Sequence, residues 1–581
     1  MKLQNAWLIL SCVLFAAGSA QAKDDWIEKS DINSMRVLEA QAAFAPESIA
    51  GYGLAQFDGD IMDLRAKSHE RSQASTKNIL QQMQGHLKSE QQPQVREDLE
   101  ILIQSLQDDI ESSDINHNHL LPYFNMHATL FFSFNSLLDV RNDPSRYVKA
   151  LDRLRKYNGR EGGYTAITEL AKARTEERLK VPGLVGPFRG EVETDIDNAE
   201  RYIEGMRSIF ERAGIDGWQA DFEILEQQLA DYLQWIRDVV LALSRADNQL
   251  PAAVYSDNLK AYGVRAVPEQ LIADAQYSYQ LIRGEMKALA RRIAEQRGWQ
   301  KHDLISVMRA LKKEQIPQDK ILEVYQQRLA DVEDIIRREN LVTLPNRDAI
   351  IRLATEAESA AIPASFMSPP QLINNDGQYG EFVLVQSNPA LGDEAIMDDW
   401  SHTSITWALT VHEARPGHEL QFASLIENGT SLARAIFAFN SANAEGWGLY
   451  AEYMMHEFLP LEGQLFNLFT RLMRAARMFM DPMVNTGQMS PQQAIDFMMG
   501  QMALSLPMAS SEADRYAFNA PGQATSYYYG FMSLMRLRTE VELTLADDFS
   551  AKEFHDFILR QGLLPPHLLR RAVLEQFVPQ S

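Results

Sequence analysis

The heptapeptide His412-Glu413-Ala414-Arg415-Pro416-Gly417-His418 places two imidazoles and a carboxylate in the order that zinc hydrolases use. In the common helical form, H-E-x-x-H, the two histidines stand four residues apart on one helix face and grip one ion, while the glutamate activates the metal-bound water. Here the spacing is six. Six residues turn a regular helix through about 600°, leaving the two rings roughly 120° apart in projection. A continuous helix therefore cannot bring both to one ion. Pro416-Gly417 stands where the helix must break, because proline removes an intrahelical donor and glycine opens backbone angles closed to other residues. A helix entering through Ile405 to Val411 is expected to kink or bulge at Pro416 and swing His418 back beside His412.

A third ligand is offered by Glu445, in the run Ala444-Glu445-Gly446-Trp447-Gly448-Leu449-Tyr450-Ala451-Glu452. It lies 27 residues past His418, a distance that suits a following antiparallel helix returning a carboxylate to the same ion. Glu452, seven residues on, shares its helix face and is a candidate acceptor for the second ring nitrogen of a ligand histidine. Most glutamate pairs at this spacing mark a solvated face. The bulky apolar neighbours Trp447, Leu449 and Tyr450 argue against that here, and Gly446 and Gly448 permit close helix approach.

Three stretches, Thr410 to Gln421 (TVHEARPGHELQ), Glu445 to Glu452 (EGWGLYAE) and Pro521 to Gly530 (PGQATSYYYG), resemble the best-marked blocks of the bacterial, mostly helical domain-of-unknown-function family 885. The likeness covers most of the chain beyond its N-terminus and is sharpest from about Asn375 to Arg538. It implies kinship with the gluzincin peptidases, including the angiotensin-converting-enzyme and thimet-oligopeptidase groups. It further implies Zn2+ held by His412, His418 and Glu445, with Glu413 as general base. One block departs from the pattern. Where the family helix reads approximately R-x-x-R-L-V-V-D-T-G-x-H, this chain has Arg474 to Asn485, with Asp481 kept and Asn485 in place of histidine. Asparagine still donates a hydrogen bond to a substrate carbonyl but cannot become cationic or shuttle a proton.

Composition narrows the rest. The chain has 581 residues, 45% hydrophobic and 23% charged, enough for one large or two medium domains. Its net charge of −23 argues against nucleic acid and an anionic membrane surface as partners. Lys2, the apolar run within Ala6 to Gly18 and Ala20-Gln21-Ala22 form a signal peptide over residues 1–22, so an exported, periplasmic or secreted protein is expected. The only cysteine, Cys12, lies inside that segment, which leaves the mature chain without disulfide or thiol chemistry. Acylation of Cys12 is the weaker reading, because the apolar stretch before it is short. No other run approaches the ~20 apolar residues of a membrane span.

Helical periodicity dominates beyond the signal. Val95 to Ile110, Phe222 to Val240, Tyr277 to Arg297, Leu322 to Glu339, Leu465 to Met480 and Ala551 to Gln561 all carry apolar residues at three-to-four spacing. The expected fold is mainly α, and the resemblance implies a large helical gluzincin-like peptidase with a small β-sheet edging the active-site cleft. Residues 23–350 form an N-terminal helical region and 351–581 a zinc-binding catalytic region of one continuous fold. The β-prone run Phe382-Val383-Leu384-Val385 is either a core strand or, as the resemblance implies, the cleft edge where Val383 would pair with an extended peptide.

The last constellation is Tyr527-Tyr528-Tyr529 after the break at Pro521-Gly522. Three consecutive tyrosines on a helix point in three directions, so one or two can face a common site. Tyr527 matches the family tyrosine and suits the role of oxyanion donor. Asn485 is placed in the cleft beside it, and Arg415, with Arg536 and Arg538, is a candidate for holding a substrate carboxylate. His402, His456, His555 and His567 read as structural. The expected activity is hydrolysis of short peptides by zinc-activated water; another zinc amide hydrolase, or a non-catalytic peptide-binding protein that keeps its metal, is the alternative.

Overall fold

The computed structural model describes residues 25–354, 365–375, 377–385 and 398–580. The signal-peptide segment, including Cys12, lies outside the described residues. Helices dominate, and the elements that build the site all fall after residue 267. They are α1 (Pro268–Arg297), α2 (Ile321–Glu339), α3 (His418–Glu427), α4 (Ser441–Met455), α5 (Leu461–Asn485) and α6 (Gln523–Leu545), with strands β1 (Ile350–Leu353), β2 (Phe366–Ser368) and β3 (Glu381–Leu384). Among the described residues no helix is long and apolar enough to cross a membrane.

Local signals explain where these helices start and stop. Pro268 opens α1 at a position where its missing N–H costs nothing, and Gly298 closes it in the left-handed conformation. Between them Leu271, Ala275, Tyr279, Ile282, Met286 and Ile293 form one buried stripe. Helix α5 is different: from Leu465 to Pro482 every residue is buried, so it runs through the middle of the molecule. It packs on α1 and α6, and α6 packs on α4. The principal core joins Leu271 and Val332 to Phe382, Trp447, Leu472 and Phe554. A second cluster around Leu130, Phe134, Phe210, Phe222 and Tyr232 serves the helices of the first half.

The expected strand exists, one residue earlier than the sequence indicates, but its place in the sheet corrects the reading of Val383. The strand order is β1-β3-β2, with β1 parallel and β2 antiparallel to β3. β3 is therefore the central strand, both its edges are taken, and Val383 is fully buried. The outer strands are β1 and β2.

Candidate metal centre

The two histidines meet because the helix breaks outright. After the turn at Thr406–Leu409 the backbone widens into a π-type turn over Thr410–Ala414, Arg415 is extended (φ −120°, ψ 136°), and α3 begins afresh at His418. Gly417 is required for this: a Cβ there would lie 1.9 Å from the carbonyl oxygen of His412. Trp447 holds the break from the opposite helix, its Nε1–H donating to the Pro416 carbonyl at 2.9 Å. The rings of His412 and His418 end 4.7 Å apart at 86°.

Helix α4 supplies the carboxylates. An oxygen of Glu445 lies 3.4 Å from Nε2 of His412 and 3.4 Å from Nε2 of His418. One ligand atom from each residue falls within 4.8 Å of the others. Zinc bonds of about 2.0–2.1 Å in a tetrahedron put ligand atoms ~3.3 Å apart, so the two measured edges fit such an ion. Two turns along α4, Glu452 accepts a hydrogen bond from Nδ1 of His412 at 2.8 Å and is itself held by the Thr470 hydroxyl of α5. This fixes the ring so that Nε2 faces Glu445. Burial alone would lower the His412 pKa, but the carboxylates of Glu445 and Glu452 raise it to about 9. Burial opposes and the two histidines overcome it at Glu445, whose carboxyl sits well below its ordinary range. Positive charge is thus favoured at this point, and the two imidazoles and the carboxylate could hold a divalent ion there.

Glycines set the spacing around the ring. A Cβ on Gly448 would stand 2.6 Å from Cε1 of His412, so α4 makes room for the imidazole there. Gly446 and Gly530 bring α4 against α6: a Cβ on Gly530 would meet the Ala442 carbonyl at 1.8 Å. That contact carries Tyr527 to the cavity lined by His412, His418 and Glu445. A cavity of about 480 Å³ is lined by His412, Glu413, His418, Glu445 and Tyr527, together with Phe366 and Met367 of β2. Glu413 is half-buried and accepts the Met367 N–H at 3.0 Å. β2, and not β3, is the strand that edges the cleft. Burial, reinforced by the charge of Glu445, raises the Tyr527 phenol above its ordinary pKa, so it stays a neutral donor.

Two expected site residues lie elsewhere. Arg415 is fully buried, paired with Glu419 at 2.7 Å and Glu333 at 2.5 Å, and it donates to the Arg347 carbonyl. It braces the helix break and does not line the cavity. Asn485 is buried too, its amide donating to Asp481 and to the Tyr516 carbonyl. It helps position Asp481, which accepts the Gly522 N–H at 2.9 Å where α6 begins. Arg536 and Arg538 also sit away from the cleft, near Asp274 and paired with Glu542. His402 packs on Phe466, His456 bonds Asn467 and His555 bonds Tyr450; neither these nor His567 line the metal cavity.

The sequence reading missed Arg474, Arg477 and Arg515, which do line it, with Glu512. Arg477 forms a two-pronged pair with Glu512 at 2.7 and 2.5 Å, and Arg515 reaches the same carboxylate at 3.3 Å. The ring of Tyr527 lies 5.7, 4.8 and 5.8 Å from the three guanidiniums. The available signal was the row Arg471, Arg474 and Arg477 inside an otherwise apolar helix.

The fold has solved relatives. A structure from Shewanella oneidensis, described as a "putative lipoprotein of unknown function", aligns over 95% of this chain and all of its own at a TM-score of 0.72 and 17% identity. A "putative lipoprotein" from Colwellia psychrerythraea aligns over 96% and 100% at a TM-score of 0.76 and 16% identity. These likenesses establish a shared fold. No curated protein matches the sequence. Residues 46–573 match the family described as "Bacterial protein of unknown function (DUF885)", and over that span the chain belongs to it.

Proposed function

We propose that this protein is an exported zinc metallopeptidase that hydrolyses peptide bonds in short peptides. The carrying observation is that His412, His418 and Glu445 converge on one point inside a cavity that also presents Glu413 and Tyr527. A structural metal site needs neither a base nor an open face; this one has both. Zinc, when bound by the two imidazoles and the carboxylate, supplies Lewis-acid activation of water and of the scissile carbonyl. Glu413 takes the proton of the attacking water and passes it to the leaving amine. Tyr527 donates a hydrogen bond to the oxygen on which negative charge develops.

The edge of β2 supports a peptide as substrate. An extended chain laid along Phe366–Ser368 adds a strand to the sheet, beside Glu413. The cavity of about 480 Å³ is of small-ligand size, which suits short peptides. The alternative of a non-catalytic binder rested on Asn485 replacing a catalytic histidine. Asn485 lies outside the cavity, so its identity does not bear on the chemistry there. Export is supported by the signal-like residues 1–22 and by the description of both solved relatives as lipoproteins.

The test is to load the purified protein with zinc, measure the bound metal and incubate it with a library of short peptides read by mass spectrometry. About one zinc per chain and cleavage of peptide bonds are expected. Loss of the metal on simple dialysis, or an untouched library, contradicts the proposal.

A further inference from the structure

The wall of the cleft contributed by α5 and by Arg515 is cationic in a strongly acidic protein. On this wall three guanidiniums, Arg474, Arg477 and Arg515, accompany one carboxylate, Glu512, the other cavity carboxylates, Glu413 and Glu445, coming from other elements, whereas the chain as a whole carries −23. Glu512 is already engaged: it takes both prongs of Arg477, an N–H of Arg515 and the Tyr516 hydroxyl at 2.9 Å. That leaves Arg474. It is 6% exposed, its Nε has no hydrogen-bond partner, and its one protein hydrogen bond is a long 3.4 Å contact to the Thr470 carbonyl. Among the described residues no carboxylate lies within ion-pair distance of it; Glu452 and Glu445 act on it only through their charge at longer range.

A guanidinium is always charged, and burying one without a carboxylate costs several kcal/mol unless something pairs with it. The position of Arg474 says what that partner is. Thr470, one turn earlier on α5, holds Glu452 and through it His412. Arg474 therefore stands one helical turn, about 6 Å of rise, further along the same wall. An extended peptide advances ~3.3 Å per residue.

We propose that Arg474, supported by Arg515, binds a carboxylate that the substrate carries within one or two residues of the scissile bond. This rests on the peptidase reading and narrows it to peptides with an anionic group at that point, either the free C-terminus or an acidic side chain. The planar guanidinium of Arg474, which lines the cavity, has the geometry that pairs with a carboxylate. The pair Arg477–Glu512 acts as a fixed backing that holds Tyr527 and Arg515 in place.

Binding, and not turnover, tests this, so that failure of the peptidase reading remains a separate result. Zinc-loaded Glu413→Gln protein is titrated calorimetrically with matched N-acetylated tripeptides: the free acid, the C-terminal amide, and amides carrying Asp or Asn at the last position. Free acid or Asp amide is expected to bind about 10- to 100-fold tighter than its neutral partner, the range of a charged hydrogen-bonded contact. Whichever pair shows the difference identifies the source of the carboxylate. Arg474→Gln should erase the preference, Arg515→Gln should weaken it, and Arg474→Lys should keep part of it. If Arg474→Gln does not fold, the ligand pairs on protein with Arg474 intact still decide. Acid and amide, and Asp and Asn, binding within twofold of each other would overturn the proposal. Tight acid-selective binding, lost in Arg474→Gln, by a protein that cleaves no peptide would keep Arg474 as a carboxylate site and remove the peptidase reading together with the placement beside a scissile bond.

Discussion

Nδ1 of His412 lies 2.8 Å from Oε1 of Glu452, a carboxylate fully shielded from solvent and two helical turns from Glu445. One face of one helix thus supplies both the carboxylate that meets the two histidines and the carboxylate that aims the imidazole of His412. Such outer hydrogen bonds raise ligand basicity and fix ring orientation. Glu452→Gln is expected to weaken zinc binding by roughly 10- to 100-fold while the fold is kept. Chelator competition measures it; an unchanged affinity would remove Glu452 from the site.

The ring is also confined by space. In Gly448→Ala the new methyl would stand 2.6 Å from Cε1 of His412 and 2.9 Å from both ring nitrogens, so the imidazole must leave its position. Zinc affinity should fall at least about tenfold, comparable with the loss of an orienting contact. Gly500→Ala, in the helix Pro491–Met502 with nothing within 4 Å of the added methyl, serves as control and should gain up to ~1 kcal/mol in stability. Equal metal affinity in the two variants would contradict the packing described.

Tyr527 lines the cavity with the metal ligands, and its helix is fixed at its start by Asp481 accepting the Gly522 N–H. An oxyanion donor acts on the transition state and little on the bound substrate. Tyr527→Phe should lower kcat by roughly 10²- to 10³-fold with KM nearly unchanged. A rise in KM at constant kcat would make Tyr527 a substrate contact instead.

What the sequence disclosed was local. His412 and His418 lie within one heptapeptide and Glu445 and Glu452 within one seven-residue helix repeat, so that these four side chains meet could be read from their spacing. The failures are all long-range. Of the two readings open to Val383, core strand and cleft edge, the structure has the first, and nothing near it in sequence announces that Ile350–Leu353 pairs along its other side. Arg415 sits within the motif, yet its role is decided by Glu333, 82 residues earlier. Asn485 follows the family's histidine position, but its amide turns to Asp481 and Tyr516. Arg474 and Arg477 lie in a helix buried on all sides, where periodicity gives no face to read. A charge placed in such a helix is itself the signal, since burial demands a partner.

Acid should expose the Arg477–Glu512 pair. Burial alone would raise the Glu512 pKa, but the charges of Arg477 and Arg515 outweigh it and push it down to about 2. A folded-state pKa below the unfolded value stabilises the protein above about pH 4.5, and that stability is lost as pH falls toward 2. The shift corresponds to something on the order of 3 kcal/mol. Glu512→Gln should therefore be less stable than the parent by about that amount at pH 7, with the gap narrowing steadily below about pH 4.5. Denaturant unfolding at a series of pH values checks this; a gap independent of pH would show that Glu512 contributes no ionised pair.

Among the described residues that line the cavity, Glu413 is the one carboxylate that accepts a strand N–H, from Met367, and neither joins the His412–His418–Glu445 cluster nor pairs with an arginine, so the proposed mechanism turns on it. The decisive measurement is turnover of a cleaved peptide by zinc-loaded Glu413→Gln, beside its zinc content. Full zinc occupancy with turnover reduced roughly 10²- to 10⁴-fold is predicted, the loss expected when a general base is removed. Turnover equal to that of the parent, at equal zinc content, would contradict the mechanism.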